Sequence, residues 1–187
     1  MRKLAVFDNI TLDGFFTAAN GDFTWAKGHM DPEFNAFVEQ NAQGKGELLF
    51  GRVTYQLMMS YWPTPMAAKN DPVVAERMNN LSKIVFSRTL DKATWKNTRL
   101  IKDDVVEAIR RMKQESGDSM VILGSGRIVS QLAAAGLIDE YQIVLNPVAL
   151  GTGRTLFDGV KQKLSLKLSQ TRAFSNGSIF LRYEPAA

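Results

Sequence analysis

Met120-Val121-Ile122-Leu123-Gly124-Ser125-Gly126-Arg127 is the stretch that decides the fold. Ser119 to Leu123 reads as a buried strand. Gly124 and Gly126 then break the chain, and a helix is predicted from Ser125 or Arg127 to about Ala135. A strand, a glycine turn and a helix start together form a device for holding phosphate. The glycines let the backbone approach closely, and the free N–H groups of the helix start point at an anion. A plain strand-to-helix turn that needs glycine for its dihedrals alone would look the same.

The rest of the chain repeats the pattern. Glu47-Leu48-Leu49-Phe50 is predicted as a strand ending at Gly51, and a helix follows from Arg52. An arginine there opposes the positive end of the helix dipole unless an anion also sits there. Ser82 to Phe86 reads as a third strand, ending in Ser87-Arg88. Lys3 to Ile10 forms the first strand, and its apolar run is too short for a secretory signal. Asp31-Pro32-Glu33 is a helix start, with an N-cap aspartate and proline at the first position. Pro63 and Pro65 are expected to end the second helix, and Asp71-Pro72 to start another. Trp95 to Ile101 reads as a short strand, and Asp103 as the cap of a helix ending near Gly117. Ile138 to Val148 is a further strand. Leu164, Leu166 and Leu168 alternate, and Asn176-Gly177 marks a hairpin.

This order predicts an α/β architecture: a mixed, mainly parallel sheet with flanking helices and a C-terminal antiparallel hairpin. No repeat or linker interrupts it, so residues 1–187 read as one domain. A domain of this size buries roughly 70% of its extended surface and needs no staples. Ligands in such sheets bind beyond the carboxyl ends of the strands. Gly51-Arg52, Ser87-Arg88 and Gly124-Ser125-Gly126-Arg127 all lie at such ends, which makes a dinucleotide site a concrete reading. The pattern is not a Rossmann fingerprint, since Val129 stands where the third glycine would be, and the next strand ends at Asn146-Pro147 rather than at an acid.

Composition narrows the classes. Hydrophobic residues are 45% and charged residues 22%, ordinary for a globular protein. Cysteine is absent and histidine occurs once, at His29. Disulfides, thiolate metal sites, a cysteine nucleophile and a histidine-rich metal centre are thereby excluded. The lack of cysteine fits a reducing cytoplasm. The net charge of +4 is scattered, without a basic stripe, so an anionic small ligand is expected rather than nucleic acid. No run of apolar residues is long enough to span a membrane.

At this point the chain resembles a known family. Gly51-Arg52-Val53-Thr54-Tyr55 is similar to the Gly-Arg-x-Thr-aromatic segment of dihydrofolate reductases, Ser87-Arg88 to their second cofactor-binding strand end, and Gly124-Ser125-Gly126 to their glycine pair. Leu12-Asp13-Gly14, Leu137-Ile138-Asp139-Glu140 and Pro147-Val148-Ala149-Leu150-Gly151-Thr152-Gly153 resemble more closely the reductase domain of the riboflavin-biosynthesis deaminase/reductases. The resemblance runs over nearly the whole chain, and its order and spacing carry it. It implies a dihydrofolate-reductase-like fold, NADPH as hydride donor and a homodimer.

By that likeness Gly51, Arg52 and Thr54 hold the pyrophosphate region. Ser87 and Arg88 meet the adenosine 2′-phosphate, and Gly124, Ser125, Gly126 and Arg127 line the nicotinamide-side phosphate and ribose. An arginine fork and a hydroxyl suit a phosphate dianion. The implied substrate is a small heterocycle: 5-amino-6-(5-phosphoribosylamino)uracil of riboflavin biosynthesis, or a pteridine. The bifunctional enzymes also carry a zinc deaminase domain with a Pro-Cys-x-x-Cys motif; with no cysteine, this chain holds none. Dihydrofolate reductases hold the pterin with a carboxylate on the first long helix, where Glu33 is the best positional match. Asp13 is the other candidate carboxylate, and Trp25, Tyr55 and Phe157 are candidates to stack on a flat ring, or to pack in the core. A nucleotide-binding module without turnover is the alternative from a different class.

Overall fold

The computed structural model describes residues 1–26, 31–42 and 44–186; His29 lies outside them. The strands are β1 (Leu4–Thr11), β2 (Phe15–Ala18), β3 (Glu47–Gly51), β4 (Lys83–Phe86), β5 (Thr98–Ile101), β6 (Met120–Leu123), β7 (Glu140–Asn146), β8 (Gly153–Thr155), β9 (Leu166–Ala173) and β10 (Ile179–Pro185). The helices are α1 (Pro32–Ala42), α2 (Arg52–Tyr61), α3 (Pro65–Asn70), α4 (Pro72–Asn80), α5 (Val105–Gln114) and α6 (Gly126–Ala134). Eight strands form one sheet in the order β5-β4-β3-β6-β1-β7-β10-β9. The first six run parallel, and β10 is antiparallel to both β7 and β9.

Alternation along the strands divides the core between the two faces. Leu49 on β3, Leu4 and Val6 on β1, and Met120 and Ile122 on β6 join Ile109 of α5 and Leu132 of α6 in one cluster. Leu48 and Phe50, one residue out of phase, join Tyr55 of α2, Val74 and Met78 of α4, and Trp95. A third cluster brings Phe34 of α1 onto Val144, Phe174 and Phe180.

Asp31 caps α1, its Oδ1 accepting from the Glu33 N–H at 2.9 Å. Its Oδ2 accepts from Ser175 Oγ at 2.9 Å and the Asn176 N–H at 3.0 Å, tying α1 to the Asn176-Gly177 hairpin. Burial works against ionisation there, but the hydrogen bonds from Ser175, Asn176, Phe34 and Glu33 overcome it and hold the carboxyl below its usual range. Its contribution to stability is therefore present above the unfolded carboxyl's range and lost as pH falls through the lowered value. Asp31→Ala is expected to lower the melting temperature at pH 7 by about 5 °C or more, read by circular dichroism.

Four local expectations change. Pro65 does not close a helix but opens α3, with Thr64 as its cap. The cap of α5 is Asp104, which accepts from Val106 and Glu107, while Asp103 pairs with Arg111 at 3.0 Å. Trp95 precedes the strand and is core instead, its indole N–H donating to Asn79 Oδ1 at 2.7 Å. The fourth change is a small antiparallel pair, β2 with β8.

Gly153 makes that pair possible. A Cβ there would sit 2.4 Å from the Thr17 carbonyl oxygen and 3.0 Å from Phe15 Cβ. Since a backbone atom cannot rotate away, Gly153→Ala is expected to part β8 from β2 and cost about 1–3 kcal/mol in urea unfolding.

Candidate functional site

β4, β3 and β6 lie side by side and parallel, so their carboxyl ends share one edge of the sheet. The two glycine turns at this edge are interlocked. Ser125 Oγ accepts from the Gly51 N–H at 2.9 Å and donates to the Leu123 carbonyl at 3.2 Å. Gly124 (φ +58°) and Ser125 (φ +65°) are both left-handed, a conformation that costs a serine energy and that this bracing compensates. A Cβ on Gly124 would come within 3.1 Å of Thr54 Cγ2, so Thr54 of α2 rests on the turn. A Cβ on Gly126 would come within 2.5 Å of Phe16 Cζ, because the Phe16 ring lies on the start of α6.

Two helix N-termini thus open side by side without side-chain caps. Gly51 precedes α2 and Ser125 precedes α6, and neither side chain caps its helix. Thr64 and Asp104, by contrast, cap α3 and α5 with their own oxygens. Neither open helix has an acidic residue in its first turn; each has an arginine, Arg52 or Arg127. The Arg127 guanidinium has no partner among the described residues, and that of Arg52 reaches only Gln56 Oε1 at 3.3 Å. Orphan N–H groups, two positive dipole ends and two cations give this edge a chemistry suited to an anion.

The edge opens into a cleft of about 840 Å³ that runs across the sheet toward α1. Phe7, Val38, Leu48, Met58, Trp62 and Leu123 give it apolar walls, and Arg154 of β8 adds a third cation near the turns. Toward its far end Asn41 Nδ2 donates to Gln142 Oε1 at 3.2 Å, and Gln142 Nε2 donates to Glu140 Oε1 at 2.5 Å. Glu140 in turn pairs with Arg182 at 3.4 Å. Sequence reading missed Asn41 and Gln142; alternation in β7 was the available signal, since Gln142 interrupts an apolar strand on the Val144 side.

Of the sequence-derived candidates, Gly51, Arg52, Thr54, Gly124, Ser125, Gly126 and Arg127 all line the cleft. Ser87 and Arg88 stand at the end of neighbouring β4 but outside its walls. Ser87 Oγ accepts from Thr89 and Leu90 N–H groups, and Arg88 is exposed.

None of the five substrate-pocket candidates lines the cleft, and each has other neighbours. Asp13 accepts from Thr11 Oγ1 and from the Leu150 and Gly151 N–H groups. Those bonds, the Thr11 hydroxyl's first, hold its carboxyl below the usual range and make it a staple between two turns. Glu33 turns to Arg172 on β9, 2.8 Å away, because Phe34 takes the inward side of α1. Tyr55 is 1% exposed, and its hydroxyl accepts from the Thr94 and Trp95 N–H groups. Phe157 packs on Tyr141 at 5.8 Å. Trp25 is half-buried beside Phe23 and Ala26, which do reach the cleft.

One acid that the sequence reading passed over does line the cleft. Asp8 of β1 is 7% exposed; its Oδ1 accepts from the Asn9 N–H at 2.9 Å, and its buried Oδ2 has no hydrogen-bond partner among the described residues. Burial pushes its carboxyl up to about 7, against the smaller opposing effect of the Asn9 hydrogen bond. Leu4, Val6 and Ile10 share its face of the strand, so an aspartate in that row was a signal in the sequence.

Comparison with known proteins fits this geometry. Residues 2–180 match the RibD C-terminal domain. The chain belongs to that family. YyaP of Bacillus subtilis (strain 168), an uncharacterized protein, is 30% identical over 182 residues, covering 97% of this chain and 94% of YyaP. The fold is also that of a putative riboflavin biosynthesis protein from Shewanella sp. PV-4 (TM-score 0.73, 21% identity, 99% of each chain). Dihydrofolate reductase from Enterococcus faecalis, solved with NADP(H), superposes with a TM-score of 0.67 at 17% identity over 99% of this chain and 97% of its own. The fold is therefore dihydrofolate-reductase-like. No helix among the described residues is long and apolar enough to cross a membrane, and no group of His, Cys, Asp or Glu among them is placed to hold a metal ion.

Proposed function

We propose that this RibD C-terminal domain protein is an NADPH-dependent reductase. The observation that carries the reading is the pair of uncapped helix starts, α2 and α6, each with an arginine, opening into one cleft. The residues present fit the dinucleotide. The orphan N–H groups of α2 and α6, with Arg52 and Arg127, suit a pyrophosphate. Ser87 and Arg88, one strand over, suit the adenosine 2′-phosphate. When bound, NADPH supplies a hydride.

What the chain does is bind, orient and exclude water. Gly124 and Gly126 keep the turn low enough for a close approach, and Ser125 fixes one helix start against the other. The apolar walls take a flat ring and exclude bulk water. The polar row Asn41, Gln142 and Glu140 can read donor and acceptor groups on a heterocycle. The leading substrate is the pyrimidine 5-amino-6-(5-phosphoribosylamino)uracil or a close relative. A pterin comes second, because Glu33, the carboxylate matched to pterin binding, faces Arg172 instead. Family resemblance also favours a homodimer, which sedimentation velocity would detect.

Fluorescence titration with NADPH and NADH tests the reading. NADPH is expected to bind more tightly, and Arg88→Ala to weaken NADPH about 10- to 100-fold while leaving NADH unchanged. An equal effect on both would remove Arg88 from the 2′-phosphate. Negligible binding of either nucleotide would end the proposal.

A further inference from the structure

One side chain at the cleft has its acceptor end held by the protein and its donor end left over. Asn9 of β1 lines the cleft. Alternation puts it on the face of Phe7, a wall of the cleft, and opposite the face of Leu4 and Val6. The β1–β7 register pairs Phe7 with Gln142 and Asn9 with Val144, so Asn9 shares the face of the polar row. The β1–β6 register pairs Phe7 with Leu123, the last residue of β6. Asn9 stands two residues further on, level with the glycine turn, where Gly124 and Gly126 carry no side chains to cover it.

The Asn9 amide has one orientation. Its Oδ1 accepts from Asn146 Nδ2 at 3.2 Å. Asn146 is 4% exposed, and its Nδ2 also donates to the Ile10 carbonyl at 3.2 Å and the Val144 carbonyl at 3.1 Å. Oxygens on every side of that nitrogen fix Asn146, and Asn146 in turn fixes the facing Asn9 atom as the oxygen. Asn9 Nδ2 is therefore turned away from Asn146 and β7. It donates to no group among the described residues, and unlike Asp8 Oδ2 it is open rather than sealed.

That open N–H pair calls for an acceptor, and the neighbouring walls, Phe7, Leu48 and Leu123, offer none on their side chains. The phosphates of a dinucleotide are met by the starts of α2 and α6. A ring that follows them past the glycine turn meets Asn9 first, since Asn41 and Gln142 lie toward the far end and bond each other. Resting on the NADPH reading above, we propose that Asn9 donates from Nδ2 to the carboxamide oxygen of the nicotinamide. The bond fixes the rotation of the ring about its link to ribose, so that a single face is turned to the far half of the cleft. The carboxamide is the same in the reduced and oxidised nucleotide, so either form probes it.

Calorimetric titration reads this bond without turnover. NADP⁺ is compared with its thionicotinamide analogue, whose sulfur is a weak acceptor, and with its 3-acetylpyridine analogue, which keeps the carbonyl oxygen and loses the NH₂. Wild type is expected to bind the acetylpyridine analogue as tightly as NADP⁺, and the thio analogue about three- to tenfold more weakly. Asn9→Leu, similar in size and without a donor, should bind all of them alike, at the weaker value. Asn146 keeps its two carbonyl acceptors in that variant, so no buried donor is orphaned. A sulfur rejected for its bulk would be rejected by Asn9→Leu as well. Asn9→Ala gives a second variant that adds nothing to the cleft. Adenosine 2′,5′-bisphosphate, which lacks the ring, should bind wild type and variants equally and so reports on the fold. Equal wild-type affinity for NADP⁺ and the thio analogue, or a thio penalty that survives in both variants, would overturn the role of Asn9. Failure of every one of these nucleotides to bind wild type at about millimolar concentration would instead end the cofactor reading, and this inference with it.

Discussion

Removing Arg52 and Arg127 together is expected to weaken NADPH binding by about two to four orders of magnitude. Each charge-assisted hydrogen bond to phosphate is worth roughly 1.5–3 kcal/mol, and each 1.4 kcal/mol is about tenfold. Either single alanine variant should lose about 10- to 100-fold. Lysine at either position should recover only part of the loss, since it returns the charge without the planar fork. Raising salt should weaken the wild type more than the double variant.

Stability should move the other way. Both arginines sit at positive helix ends, and neither has an ion-pair partner among the described residues. Without ligand, each removal should raise stability slightly, by about 0.3–1 kcal/mol. A double variant that loses both stability and binding would show these arginines to be structural, and the anion-site account would be wrong.

Asp8→Asn is expected to make the ligand-free protein more stable at pH 8, and to have little effect at pH 4. In the fold the Asp8 carboxyl is pushed up to about 7, chiefly by burial, against 3.8 for the ordinary group. Between these values the folded protein holds a proton that the unfolded chain has released. Stability therefore falls as pH rises through this window and levels off above about 7. At about 1.36 kcal/mol per pH unit, the whole window corresponds to roughly 4 kcal/mol, an upper bound if water enters to relax the charge. Asparagine has no proton to lose, so its contribution is flat. Urea unfolding of both proteins from pH 4 to 8 reads the difference. Parallel stability curves would mean that Asp8 ionises normally in the fold.

The framework of the site was legible because local rules and tertiary structure agree there. Gly124-Ser125-Gly126 marks a turn between an apolar strand and a helix, and Asp31-Pro32 marks a helix start; both survive in the fold. Asn176-Gly177 likewise marks the hairpin of β9 and β10. Residue types alone did not say which way a side chain points. Glu33 is one position from Phe34, and on a helix that step of about 100° carries it out to Arg172. Tyr55 follows Thr54 in the same way, and its ring goes to the core rather than the cleft. Asp8 stood in the legible row of Leu4, Val6 and Ile10, but only the register sets it level with Gly124. The pairing of β2 with β8 was invisible for another reason. Strands of four and three residues carry no period, and their partners are more than a hundred positions apart.

A crystal structure of this protein soaked with NADPH tests the central claim most directly. The expected density places the pyrophosphate between the N-termini of α2 and α6, within reach of Arg52 and Arg127, with the nicotinamide extending past Gly126 into the apolar cleft. Density for the dinucleotide elsewhere on the molecule, with the cleft filled by water alone, would contradict it.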